Sequence, residues 1–230
     1  MPKTALIAGA SGLVGEHLLA MLLASPDYEQ VISLGRRWLD IQYPKLKQIA
    51  VDFDALQTVP DTLRVDDVFC SLGTTIKKAG SREAFRKVDF SYVVNAARLG
   101  QSLGAGGCFV VSALGAHPRS RVFYSRTKGE MEEALKSLNF DSLAIFRPSL
   151  ITGHRKESRP GERLAVLVAP VVTPLLAGPL RKYRPIAAEA IAEAMVQAAH
   201  EHRRGVHSWE SDGKRFWETA EAGKDAAKAG

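Results

Sequence analysis

Residues 3–23 read Lys3-Thr-Ala-Leu-Ile-Ala8, then Gly9-Ala-Ser-Gly12-Leu-Val-Gly15, then Glu16-His-Leu-Leu-Ala-Met-Leu-Leu23. The first segment is a short apolar run of strand type, the second a glycine turn, the third a helix with an apolar face. Strand, glycine turn and helix in that order are what a dinucleotide site requires. The glycines let the backbone approach a pyrophosphate, and the helix N-terminus offers N–H groups and a positive dipole end. The spacing is Gly-x-x-Gly-x-x-Gly rather than the commoner Gly-x-Gly-x-x-Gly. Gly9, Ser11, Gly12, Leu13, Val14 and Gly15 are therefore expected to bind the nucleotide.

Outward from this unit, strand and helix patterns keep alternating. Gln30–Leu34, Leu46–Val51, Asp67–Ser71, Cys108–Ser112 and Ser142–Phe146 read as strands, and Gly205–Trp209 as a last one. Arg82–Leu103, the stretch carrying Tyr124 up to about Leu138, and Ala187–His200 read as helices. The expectation is an α/β fold, a Rossmann-type doubly wound parallel sheet with helices on both faces, in a single domain. The domain is expected to span 1–217, with a small substrate-side segment from about 150 and a frayed tail over 218–230. Ligands bind such sheets beyond the carboxyl ends of the strands, where residues far apart in sequence converge.

The chain has 230 residues, enough for one substantial core, and a formal net charge of +6. Its isoelectric point is near 9.4, but the basic residues are scattered in short pairs with no zinc-finger or RNA-binding signature, which points away from nucleic acid. Cys70 and Cys108 lie in apolar runs and are expected as buried free thiols. The histidines lack ligand spacing, so no metal is expected. Pro170 and Pro174 interrupt the most apolar stretch, Leu164–Leu176, which is too short to span a bilayer. The first strand begins at once, leaving no space for a signal peptide, and a cytoplasmic protein is expected.

The chemistry is carried by Tyr124-Ser-Arg-Thr-Lys128, twelve residues after Ser112. A tyrosine and a lysine four apart on a helix share one face. A phenol beside a fixed ammonium gives up its proton more readily, and a serine hydroxyl near both would hold a substrate carbonyl while the phenol protonates its oxygen.

These residues resemble a short-chain dehydrogenase/reductase of the atypical branch built on the extended pattern. The chain is similar, over roughly residues 3 to 210, to the HIV Tat-interacting-protein-like NAD(P)-binding oxidoreductase group. The resemblance rests on Ser71-Leu-Gly-Thr-Thr-Ile-Lys-Lys-Ala-Gly80, Val88-Asp-Phe-Ser-Tyr-Val-Val94, Ser112-Ala-Leu-Gly-Ala116 and Glu157-Ser-Arg-Pro-Gly-Glu162. It implies a catalytic set in which Ser112 orients the carbonyl, Tyr124 transfers the proton and Lys128 holds the ribose hydroxyls. A fourth member, often asparagine, falls at Asp89, with Asn95 six residues on; the choice between them stays open. The resemblance also implies that Asp52 and Phe53 contact adenine. Leu72, Gly73, Thr74 and Thr75 would line the cofactor by backbone contacts, and Arg147, Pro148 and Ser149 would shape the nicotinamide side, with His154 in the loop beyond.

Cofactor choice follows from charge. Where an NAD site carries an acid to bond the ribose 2′-hydroxyl, this chain has Arg36 and Arg37, suited to the 2′-phosphate of NADP(H). The leading reading is an NADP(H)-dependent carbonyl reductase or alcohol dehydrogenase, monomeric or homodimeric, acting on a small carbonyl or alcohol. Leu164–Leu176 points to a hydrophobic substrate body. The alternative is a non-catalytic NADP(H)-sensing regulator that acts through a protein partner.

Overall fold

A computed structural model describes residues 2–56, 59–60, 62–153 and 178–219. Eight strands form one sheet: β1 (Lys3–Ala8), β2 (Tyr28–Gly35), β3 (Leu46–Ala50), β4 (Asp67–Cys70), β5 (Gly107–Val111), β6 (Ser142–Arg147), β9 (Gly205–Ser211) and β10 (Phe216–Glu218). Their spatial order is β10-β9-β6-β5-β4-β1-β2-β3. All neighbours run parallel except β10, which turns back against β9. Two short strands, β7 (Ile151–Thr152) and β8 (Ile186–Ala187), pair separately beyond the carboxyl edge of the sheet. The order reverses at β1, between β4 and β2, so the crevice of the doubly wound fold opens where Gly9 follows β1 and Ser71 follows β4.

Period-two alternation in the buried strands divides the core. Leu6 and Ala8 face one cluster with Val93, Val94, Ala96 and Ala97 of α4 (Val93–Ser102) and Met131 and Leu135 of α5 (Phe123–Lys136). Ala5 and Ile7 face the opposite cluster, with Leu18 and Leu22 of α1 (Leu13–Ala24) and Ile191 and Met195 of α6 (Ala188–Glu201). Strands covered on both sides read as continuous apolar runs, which is why they were legible. Cys70 and Cys108 are buried and free.

Two details depart from the expected elements. Arg82–Leu103 is not one regular helix: α3 (Arg82–Arg86) leads through a π-helical turn (Lys87–Tyr92) into α4, with α2 (Ile76–Ala79) before it. Glu218, expected in a frayed tail, instead closes β10, where its carboxylate takes an ion pair from Arg203 at 2.8 Å and a contact from His207 at 2.6 Å. The sheet thus gains a strand too short to show in the sequence. His154, Glu157–Glu162, Leu164–Leu176 and 220–230 lie outside the described residues, and with them the stretch behind the hydrophobic-substrate expectation. Among the described residues, no helix is long and apolar enough to cross a membrane.

Candidate functional site

The turn after β1 is built for close approach. Gly9 has φ +99°, and its carbonyl accepts from the Gly12 N–H at 2.9 Å. A Cβ on Gly15 would stand 2.0 Å from the Gly9 oxygen, so α1 meets this turn at a distance only glycine permits. Gly12 caps α1 without a side-chain hydrogen bond, which leaves the first-turn amides to an incoming anion. On the other wall of the crevice, the Ser71 N–H bonds the Ala8 carbonyl at 2.9 Å and its hydroxyl bonds the Gly9 carbonyl at 3.2 Å. A glycine cradle and an uncapped helix end fit a dinucleotide pyrophosphate.

Around this cradle the expected cofactor residues divide. Arg36 and Arg37 are exposed just past the carboxyl end of β2, and among the described residues neither guanidinium has a protein partner. Asp52 is exposed, whereas the Phe53 ring is buried and stacked on Tyr92 at 5.2 Å. Any adenine contact at Phe53 must therefore come from its backbone. Thr74 gives its N–H to Asp89 at 2.8 Å, and Thr75 caps α2 by accepting from the Lys78 N–H at 3.2 Å. Both are committed within the protein, and Leu72 lies against the glycine turn, a Cβ on Gly9 standing 2.8 Å from its amide nitrogen.

Tyr124 and Lys128 project from α5 one turn apart. The half-buried Tyr124 ring leans on Phe85 of α3, centroids 5.4 Å apart. Lys128 is almost fully buried, and its Nζ lies 2.8 Å from Asp89 Oδ1. A Cβ on Gly73 would lie 3.4 Å from that oxygen and 4.0 Å from the ammonium, so the pair sits directly behind the β4 loop. Burial alone would push the Lys128 ammonium down; Asp89, with help from Tyr124, outweighs it and holds Lys128 above the ordinary lysine range. The two candidates for the fourth position make different contacts. Asp89 meets Lys128, while Asn95 donates to the Phe53 carbonyl at 3.0 Å.

The Ser112 hydroxyl donates to Glu132, buried one further turn along α5. Glu132 also takes a forked pair of hydrogen bonds from Arg147, at 3.1 Å to Oε1 and 2.7 Å to Oε2. A buried carboxylate and guanidinium need every bond they can collect, and that demand turns Ser112 and Arg147 inward. Ser149 donates to the Arg184 carbonyl, and the Pro148 carbonyl accepts from the Leu114 N–H at 2.8 Å. Residues 147–149 thus tie β6 to its surroundings. Glu132 was missed in the sequence, although Tyr124, Lys128 and Glu132 at i, i+4 and i+8 share one helical face.

No family model matches the chain. It is 40% identical over 170 residues to Protein HTATIP2 of Rattus norvegicus, covering 71% of this chain and 69% of that protein. It is 35% identical over 209 residues to Protein fmp52-1, mitochondrial, of Aspergillus terreus, covering 86% and 87% respectively. Among solved structures, MoeE5 in complex with UDP-glucose and NAD superposes with a TM-score of 0.69 at 17% identity, covering 95% of this chain and 79% of that one. WbmH of Bordetella bronchiseptica in complex with NAD+ gives 0.66 at 16% identity, covering 91% and 75%. At such identities the likeness establishes the fold. The fungal relatives are named mitochondrial proteins, which contradicts the cytoplasmic location expected from the early first strand.

Proposed function

This chain belongs to the family of HTATIP2 and FMP52, built on the NAD(P)-binding short-chain dehydrogenase/reductase fold, and on that premise we propose that it is an NADP(H)-dependent oxidoreductase acting on a carbonyl or alcohol. The observation that carries the reading is the half-buried Tyr124 phenol held one helical turn from the buried, charged Lys128, beside the glycine cradle.

A nicotinamide held there would supply the hydride in reduction and take it up in oxidation. The rest falls to the protein. The Gly9–Gly15 turn and the α1 N-terminus hold the pyrophosphate, and Arg36 and Arg37 take the 2′-phosphate through charge-assisted hydrogen bonds. Tyr124 binds the substrate oxygen and gives it a proton as the carbonyl carbon gains its hydrogen. Tyr124 stands in the first turn of α5, one turn before Lys128. Solvent then returns the proton. Ser112, bonded to Glu132, supports the fold in this scheme rather than the substrate. A sensor that only binds cofactor has no need of the paired phenol and ammonium, so the enzyme reading is preferred.

Tyr124→Phe tests it. Reduction of an aldehyde and ketone panel with NADPH should fall about 10²–10⁴-fold on loss of the general acid, with NADPH affinity by calorimetry unchanged. Full activity in that variant would remove the catalytic reading.

A further inference from the structure

Beyond the carboxyl ends of β5 and β6, hydrogen bonds link separate segments of the chain into one rim. The His117 N–H donates to the Ser125 carbonyl at 3.0 Å, which fastens the loop after β5 beside Tyr124. In the same loop the Leu114 N–H bonds the Pro148 carbonyl at 2.8 Å. Ser149 donates to the Arg184 carbonyl, and the Ile186 N–H bonds the Leu150 carbonyl at 2.9 Å. Arg184, between a 3-10 turn (Gly178–Tyr183) and β8, thus stands on the rim that begins at Tyr124.

The charge of Arg184 is unanswered within the fold. Its Nε is buried without a hydrogen-bond partner, and among the described residues its guanidinium has no ion pair. The turn between β9 and β10 packs on its stem: a Cβ on Gly213 would stand 2.6 Å from the Arg184 Cβ. Asp212, the acid of that turn, instead accepts from the Lys214 and Arg215 N–H groups, each at 3.0 Å. Ser211, fully buried just before it, also has a hydroxyl with no partner. Buried polar atoms are ordinarily hydrogen-bonded, and an unmet charged group is costly. The neighbouring chain adds charge of the same sign. Residues 178–187 carry Arg181, Lys182 and Arg184 without an acid, and residues 113–122 carry the exposed Arg119 and Arg121 without one. A site bordered by one sign of charge concentrates ligands of the other.

We propose that Arg184 anchors the substrate, and that the substrate is a carbonyl compound carrying an anionic group, a carboxylate or a phosphate. This rests on the reading of Tyr124 as the proton donor and adds the class of molecule it serves. The guanidinium fork meets either anion with two parallel charge-assisted hydrogen bonds. Tyr124 holds the carbonyl oxygen at the other end of the molecule. A neutral substrate, aliphatic or sugar, would leave the Arg184 Nε without an acceptor.

The test offers the full chain, with NADPH, two matched pairs of aldehydes: 4-carboxybenzaldehyde against methyl 4-formylbenzoate, and glyceraldehyde 3-phosphate against glyceraldehyde. The members of each pair share the aldehyde and differ in the anionic group. In at least one pair the charged member should be preferred about 10–100-fold in kcat/KM, as expected of hydrogen bonds to a charged group. The pair that responds tells carboxylate from phosphate. Arg184→Gln should abolish that preference by lowering kcat/KM for the charged member. Equal values within both pairs, or a preference that survives in Arg184→Gln, overturn the proposal. Should that variant not fold, Arg184→Lys decides: it keeps a charge but loses the fork, and an undiminished preference overturns the proposal. Calorimetric binding of the same pairs to the chain saturated with NADP⁺ reads the preference without turnover. Binding that favours the anion through Arg184, with none of the four aldehydes reduced, would sink the oxidoreductase reading and leave the anion site standing. Turnover without such a preference would sink the anion site alone.

Discussion

Glu132 joins three parts of the chain that the sequence keeps far apart: the hydroxyl at the end of β5, its own helix α5 and the guanidinium at the end of β6. Glu132 is 1% exposed and Arg147 7%, so removing either charge strands the other in the core. Glu132→Ala should lower stability by roughly 3–5 kcal/mol, the loss typical of breaking a buried ion pair. Ser112→Ala removes one hydrogen-bond partner and should cost about 1 kcal/mol. Urea unfolding measures both, and equal losses would mean that the ion pair carries no special weight. Tyr124 and Lys128 were legible as a pair because helical spacing alone puts them on one face. The fates of Ser112, Asp89 and Asn95 were not, since a short polar side chain at a strand end or on a helix can turn either way, and the partner that decides lies elsewhere in the chain.

Among the elements, the β1 turn and α1 form a tightly constrained unit. A Cβ on Gly15 would stand 2.0 Å from the Gly9 carbonyl oxygen, whereas one on Gly12 would stand 3.2 Å from it. Gly15→Ala must push α1 off the turn, and overpacking of this kind costs typically about 1–3 kcal/mol. It should also cost most of the NADPH affinity in calorimetry, whereas Gly12→Ala, needing only a small adjustment, should lose less. The reverse ranking would place the pyrophosphate away from the α1 end. The glycine unit could be read from sequence because its constraint is local. The π turn could not: Lys87–Tyr92 carries an ordinary helical pattern, and the extra residue answers to Lys128 and Thr74, which are outside the helix. β10 was hidden for a similar reason, being three residues long and held by Arg203 and His207 of other elements.

For the whole molecule, cofactor binding and stability are linked. A ligand that binds only the folded chain stabilises it by about 2.7 kcal/mol at a hundred times its Kd. At equal concentration NADPH should therefore raise the Tm more than NADH, and replacing Arg36 and Arg37 together with alanine should erase the difference while leaving the NADH shift in place. Equal shifts in the unaltered chain would remove the arginines from cofactor selection. The sequence by itself determined the doubly wound sheet, the glycine cradle and the Tyr124/Lys128 face. Each of these is written in short-range periodicity, and a strand buried on both sides or a helix facing one core admits few other patterns. Only the tertiary structure decided that Asp89 is the anion beside Lys128, that Ser112 belongs to Glu132 and that Glu218 closes the sheet. A buried charge takes its partner from whatever element packs against it, and that neighbour is set by the fold rather than by the adjoining residues.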